Sequence, residues 1–171
     1  MQPDIEREYV EFVRGQALAL RRTAYRLCGD WHLAEDLVQS ALILLYRHWA
    51  RVTRAAAPEA YVRKVVVNAV LEDRRRWWTR RVRAVASPVE PDCAVPAVDV
   101  EGRLDLQQAL AILPARQRAV LVLRYWEGLS VAETAEALGC SAGTVKSQTS
   151  DAIATLRRLL PDYVSDTLEA R

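Results

Sequence analysis

The chain has 171 residues, of which 51% are hydrophobic and 27% charged, and its formal net charge is only +2. That makeup belongs to a soluble globular protein and argues against general disorder; no run approaches the ~18 consecutive apolar residues of a membrane span. The opening residues Met1-Gln2-Pro3-Asp4-Ile5-Glu6 lack the basic-then-apolar layout of a secretory signal, so the expected location is cytoplasmic.

Helical periodicity begins at once. Ile5, Tyr9, Phe12, Val13, Leu20, Ala24 and Leu27 recur at helical spacing until Gly29, which suits a helix end. Asp30 can cap a second helix with the stripe Leu33, Leu37, Val38, Ala41, Leu42, Leu45 and Trp49. Glu35 and Asp36 then fall near its positive end, and Arg47 and His48 near its negative end. A loop is expected from Ala50 to Ala57. Pro58 fits the first turn of a third helix through Tyr61, Val62, Val65, Val66 and Ala69; Val65-Val66-Val67 alone could pass for a strand, but it would have no partner.

Charge is unevenly spread. Eight basic residues lie between Arg63 and Arg83 against Glu72 and Asp73. From Ala84 to Gly102 there is no Lys or Arg, while Glu90, Asp92, Asp99 and Glu101 alternate with Pro88, Pro91 and Pro96, as in an acidic linker. The expected organisation is therefore residues 1–83, a linker over 84–102, a second module over 103–161 and a short tail over 162–171.

The second module is more sharply punctuated. Leu104, Leu106, Leu110 and Leu113 predict a short helix halted by Pro114, which can start the next, through Val120, Leu121, Leu123 and Trp126 to Gly128. Ser130-Val131-Ala132-Glu133 is a capping box for a helix ending at Leu138-Gly139. After Gly139-Cys140-Ser141, a longer helix through Val145, Thr149, Ala152, Ile153, Leu156 and Leu159 closes at Pro161. A short helix, a tight turn and a longer helix predict a helix-turn-helix. Its outward residues would be Lys146, Ser147, Gln148, Ser150 and Asp151; lysine suits a phosphate, glutamine an adenine edge, and serine several partners. A solvated face of an ordinary helical bundle would show the same pattern.

Chemistry-bearing clusters are scarce. Cys28, Cys93 and Cys140 are odd in number and far apart, giving neither a disulfide framework nor a zinc ribbon. Cys28 and His32 straddle a helix break and do not form a convincing metal pair. No clustered carboxylates, nucleophile elbow or phosphate-binding glycine loop points to an enzyme, and no cofactor or metal is expected.

Several stretches resemble a known family, the extracytoplasmic-function sigma factors of the sigma-70 superfamily, in an actinobacterial-type subgroup. Leu113 to Leu121, Arg124 to Ser130 and Ala135 to Ser147 resemble the family's fourth region; Ala34 to Ala41 resembles the polymerase-binding helix of its second region, and Tyr61 to Asn68 with Arg74 to Trp78 its promoter-melting segment. The resemblance implies an all-α fold of two small helical domains, a region 2 bundle and a region 4 helix-turn-helix, joined by the acidic linker. It implies a non-enzymatic factor that binds the beta and beta-prime subunits of core RNA polymerase and promoter DNA, with an anti-sigma factor as a further candidate partner.

Residue roles follow from the same resemblance. Glu35, Asp36, Leu37 and Gln39 would meet the polymerase clamp helices, although Glu35 and Asp36 could equally serve the helix start. Arg63, Lys64, Asn68, Arg74, Arg75, Trp77 and Trp78 would meet minus-ten DNA, with Asn68 reading an unstacked base and Arg51 to Glu59 forming the pocket wall. At least one of Trp77 and Trp78 is expected in the core. Ser141, Thr144, Lys146, Ser147, Gln148 and Ser150 would meet the minus-thirty-five element. The linker would thread the polymerase's RNA channel, or simply act as a spacer. Gln148 and Asp151 stand where many relatives carry arginine. A competing reading is a helix-turn-helix activator outside the polymerase holoenzyme, but the expected receiver domain with alternating strands and helices is absent from the first half.

Overall fold

The structure is a computed structural model, and it describes the backbone of residues 3–54, 58–84 and 105–164; the side chains of 73–84 and the expected linker fall outside the described residues. The described chain is helical throughout: α1 (Pro3–Cys28), α2 (Trp31–Arg54), α3 (Pro58–Ala84), α4 (Leu106–Ile112), α5 (Ala115–Leu121), α6 (Val131–Leu138), α7 (Ala142–Leu159) and the single turn α8 (Pro161–Tyr163). The Val65-Val66-Val67 run is helical, with Val66 and Val67 fully buried.

The first three helices form one bundle. Ala24, Ala34, Val38, Ala41, Leu45, Trp49, Val62 and Val66 build its core. Small residues at 24, 34 and 41 let the backbones approach, and the aromatic rings fill the wider end: Trp49 meets Tyr9 at 5.4 Å and Phe12 at 5.2 Å between centroids. Gly29 takes the left-handed conformation (φ 79°) that ends α1, and the Asp30 carboxylate accepts from the backbone N–H groups of His32 and Leu33 at 2.8 and 3.0 Å.

The expected loop from Ala50 is not there. Helix α2 runs on to Arg54, because Val52 reaches the core at 5% exposure and the side chains of Thr53 and Arg54 bond back to the carbonyls of Trp49 and Ala50. Arg51 to Arg54 therefore belong to α2 and Pro58 and Glu59 to α3, so most of the expected pocket wall is helix; residues 55–57 lie outside the described residues. Two further expectations change with the boundaries. Glu35 and Asp36 sit in the second turn of α2, where the helix dipole has largely faded, and His48 is an interior helical position rather than an end.

In the second module each short helix carries its own chemical stop and start. Asp105 and Gln108 form a capping box on α4, a device the leucine pattern did not reveal. Ser130 and Glu133 form the expected box on α6; Gly139 ends it at φ 60°, and Ser141 caps α7. Helix α5 does not run straight to Gly128: Val122 to Trp126 form a π-helical turn, closed by the Glu127 N–H donating to the Val122 carbonyl at 3.1 Å.

The modules share a core. Leu27, Val67 and Val70 of the first pack with Ala119, Val122 and Leu123 of the second. Polar groups reinforce the seam at the C-terminus of α1, whose last carbonyls have no partners of their own helix. Gln107 donates to the Tyr25 carbonyl at 3.1 Å, and the buried Arg118 guanidinium donates to Leu27 at 2.8 Å. Arg118 also donates to the carbonyls of Ala111 and Leu113, at 2.8 and 3.1 Å, so its charge rests between the negative ends of α1 and α4.

Candidate polymerase and nucleic-acid interfaces

Three exposed faces carry the sequence-derived candidates. On α2, Asp36 and Gln39 point to solvent, and seven residues beyond Asp36 the same side of the helix presents Ile43, 61% exposed, with Leu44 beside it at 41%. An acidic and amide end continued by uncovered aliphatic side chains is what an interface with a basic, partly apolar partner needs. Sequence reasoning missed Ile43 and Leu44; the available signal was an apolar pair lying off the core stripe in line with Asp36. The other two candidates are otherwise engaged. Glu35 forms a half-exposed ion pair with Arg21 of α1 at 2.9 Å, and Leu37 packs against the core shared by the two modules rather than standing in the exposed stripe.

On α3, four-residue spacing puts Lys64, Asn68 and Glu72 on one solvent-facing line, so the Asn68 amide is free to meet an incoming group. Arg63 lies on a different side. It is half-buried, and its Nε donates to the Glu127 carboxylate of the second module at 3.1 Å. The structure thus separates Arg63 from Lys64 and Asn68. Arg74, Arg75, Trp77 and Trp78 fall within the span of α3, but their side chains lie outside the described residues.

The third face is α7. Val145, Ala152 and Leu156 anchor it, leaving Lys146, Ser147, Ser150 and Asp151 exposed, with Thr144 and Gln148 half-buried. At 100° per residue, Ser147 and Ser150 occupy the middle of the outward arc, while Lys146 and Gln148 stand at its opposite flanks. Several hydroxyls already have work: Ser141 accepts from the Thr144 N–H at 3.1 Å and shares a 2.9 Å hydrogen bond with its hydroxyl, and Ser147 donates to the Thr144 carbonyl at 3.1 Å. Ser141 and Thr144 therefore shape the start of the helix, and Lys146, Gln148 and Ser150 are the side chains with most freedom to reach outward.

Few groups have altered proton affinities. Hydrogen bonds from Ser130, from its side chain first and its backbone N–H second, hold the Glu133 carboxyl below its ordinary value. Burial pushes the Cys28 thiol up, against the pull of backbone hydrogen bonds, which makes it less nucleophilic. Among the described residues no three His, Cys, Asp or Glu side chains gather as a metal site, and no helix is long and apolar enough to cross a membrane.

Comparison with known proteins agrees with this geometry. The family described as Sigma-70 region 2 matches residues 12–80, and that described as Sigma-70, region 4 matches residues 103–156. The chain is 40% identical over 167 residues to the RNA polymerase sigma-E factor of Streptomyces avermitilis, covering 96% of this chain and 89% of the relative. It is 35% identical to the ECF RNA polymerase sigma factor SigL of Mycobacterium tuberculosis, covering 85% of both. Among solved structures, the sigma factor RpoE of Bartonella quintana, in complex with the anti-sigma factor NepR, superposes with a TM-score of 0.67 at 28% identity, covering 89% of this chain and 98% of that one.

Proposed function

The chain belongs to the extracytoplasmic-function sigma factors of the sigma-70 family, and from that premise we propose how its own residues divide the work of initiation. It is a non-enzymatic factor that binds core RNA polymerase and directs it to promoter DNA. Its place of work is accordingly the cytoplasm, where polymerase and promoter are found.

Residues 1–83 act as region 2 and residues 103–161 as region 4, with 84–102 as the tether. The exposed side of α2, Asp36 and Gln39 extended by Ile43, docks on the clamp helices of the polymerase. Lys64 and Asn68 face the minus-ten strand, where an amide with both donor and acceptor suits the edge of an unstacked base. Helix α7 enters the major groove at the minus-thirty-five element, with Lys146 on a phosphate and Gln148 on a base edge. The solved relative is held by an anti-sigma factor, and this chain is a candidate for the same kind of restraint. The observation that carries the reading is the pairing of an uncovered acidic-apolar stripe on α2 with a capped helix-turn-helix whose second helix faces outward.

Co-elution with core polymerase in size-exclusion chromatography, followed by transcription from genomic fragments with mapped start sites, tests the assignment. A stoichiometric complex that initiates at discrete sites is expected. Tight duplex binding without polymerase and no complex with it would favour an autonomous activator. Asp36→Arg combined with Gln39→Ala should weaken co-elution while leaving circular dichroism unchanged, since a reversed charge at an interface opposes the correct partner. Asn68→Ala should keep co-elution and lose base discrimination at one minus-ten position.

A further inference from the structure

The two modules are latched together at one carboxylate. Glu127, just past the π-helical turn, is bridged by two groups of the first module: the Thr23 hydroxyl of α1 donates to its Oε1, and Arg63 of α3 donates to its Oε2 at 3.1 Å. Thr23 is 2% exposed, and both charged side chains of the ion pair are mostly covered, so the contact is shielded from water. Arg26 of α1 lies over the Trp126 ring at 5.9 Å, next to the same point. The shared core and the Gln107 and Arg118 bonds to the end of α1 continue the seam.

A factor that touches both promoter elements cannot do so in this form. The elements' own positions set them about 25 base pairs apart, or ~85 Å along the duplex at ~3.4 Å per step. A compact chain of this length has a radius of gyration of ~16 Å and a diameter of ~40 Å. The seam must therefore part during initiation. What it covers meanwhile is selective: Arg63 is occupied, whereas Asp36, Gln39 and Ile43 on α2, Lys64 and Asn68 on α3, and the outward arc of α7 all stay open.

We propose that the chain rests in a closed state in which the Glu127 carboxylate stands in for a nucleic-acid phosphate on Arg63, masking that cation until the modules separate. The polymerase-docking face is ready throughout, so the closed chain can engage polymerase first and release Arg63 to the strand afterwards. This rests on the assignment of Arg63 to DNA, and the two measurements below fail separately for the latch and for that assignment.

The test uses the full chain free in solution, with Glu127→Gln, Thr23→Val and, as a charge control, Glu136→Gln on the exposed side of α6. Small-angle X-ray scattering reads the latch: Glu127→Gln and Thr23→Val should increase the radius of gyration by several ångströms from ~16 Å, and Glu136→Gln should not. Fluorescence anisotropy with a labelled 20-nucleotide oligothymidylate at low salt reads the masking. If nine chains in ten are closed, opening should tighten binding ~10-fold, and Arg63→Ala added to either opened variant should remove the gain. Thr23→Val changes no charge and leaves the Glu127 side chain intact, so it answers the question even if the glutamine variant folds poorly. No expansion in either latch variant overturns the latch. Expansion without tighter, Arg63-dependent binding overturns the masking. Failure of the parent chain to bind polymerase would count against the sigma assignment and leave the scattering result standing.

Discussion

The two modules reach stability by opposite routes. The first is made of three helices of 24 to 27 residues, with a side-chain cap at the start of α2, and it draws its order from one large core. The second uses helices of 7 to 18 residues, and there Asp105, Ser130 and Ser141 each cap a helix start while Gly139 makes a left-handed stop. Short helices recover little propagation energy after a costly nucleus, so their ends must be chemically specified; long helices can leave their ends to tertiary packing. The first module even leaves the end of α1 to the second, whose Gln107 and Arg118 take up carbonyls there.

The sharpest way to break this contrast is to ask whether the modules unfold separately. Leu45→Ala, at a fully buried site in the first core, should cost about 2 to 5 kcal/mol. Because Leu27, Val67 and Val70 share a core with Ala119, Val122 and Leu123, the loss should appear as one cooperative transition followed equally by probes in both halves. Two separated transitions in urea would show that the seam contributes little. Arg118→Met comes next: it keeps the side chain's bulk but leaves the carbonyls of Leu27, Ala111 and Leu113 without that donor, an expected loss of ~2 to 3 kcal/mol by the same titration.

Smaller effects sharpen the contrast between specified and unspecified ends. Ser130→Ala should cost ~1 kcal/mol and speed hydrogen exchange along the whole of α6, whereas Asp30→Ala should loosen only the first turn of the long α2. The Ser130 box also gives a pH signature. Because the folded Glu133 carboxyl lies below its unfolded value, its contribution is present above the ordinary carboxylate range and disappears as pH falls through the lowered folded value. Ser130→Ala should flatten that part of the stability–pH curve in acid titrations. Least in stability but distinct in readout, Lys146→Ala should lower the salt slope of promoter binding by ~1 without changing base preference, and Gln148→Ala should relax preference at one base pair.

The same contrast explains what could be read without coordinates. In the second module Pro114, the Ser130-Glu133 pair, Gly139 and Ser141 marked helix limits that the structure reproduces closely, since local chemistry fixes them. In the first, the end of α2 was placed too early, because Val52 joins the core through tertiary packing that no local signal announces. Of the candidate site, Asp36, Gln39, Lys64 and Asn68 emerge on open faces because helical spacing alone determines their side. The exposure of Ile43 depended on α2 remaining one unbroken helix, and the engagement of Arg63 by a residue 64 positions away depended on two modules meeting. Pattern along one helix carries no information about that meeting.

The π-helical turn from Val122 to Trp126 gives evolution a simple handle. Such a turn holds one residue more than an α-helical path, so deleting a single residue there would let the helix relax and swing everything beyond it by about 100°. Glu127 would turn away from Thr23 and Arg63, while neither α2, α3 nor α7 would lose a side chain. Descendants of one ancestral gene could thus differ in how readily their halves come apart, by a lone codon gained or lost, with their promoters and their polymerase unchanged.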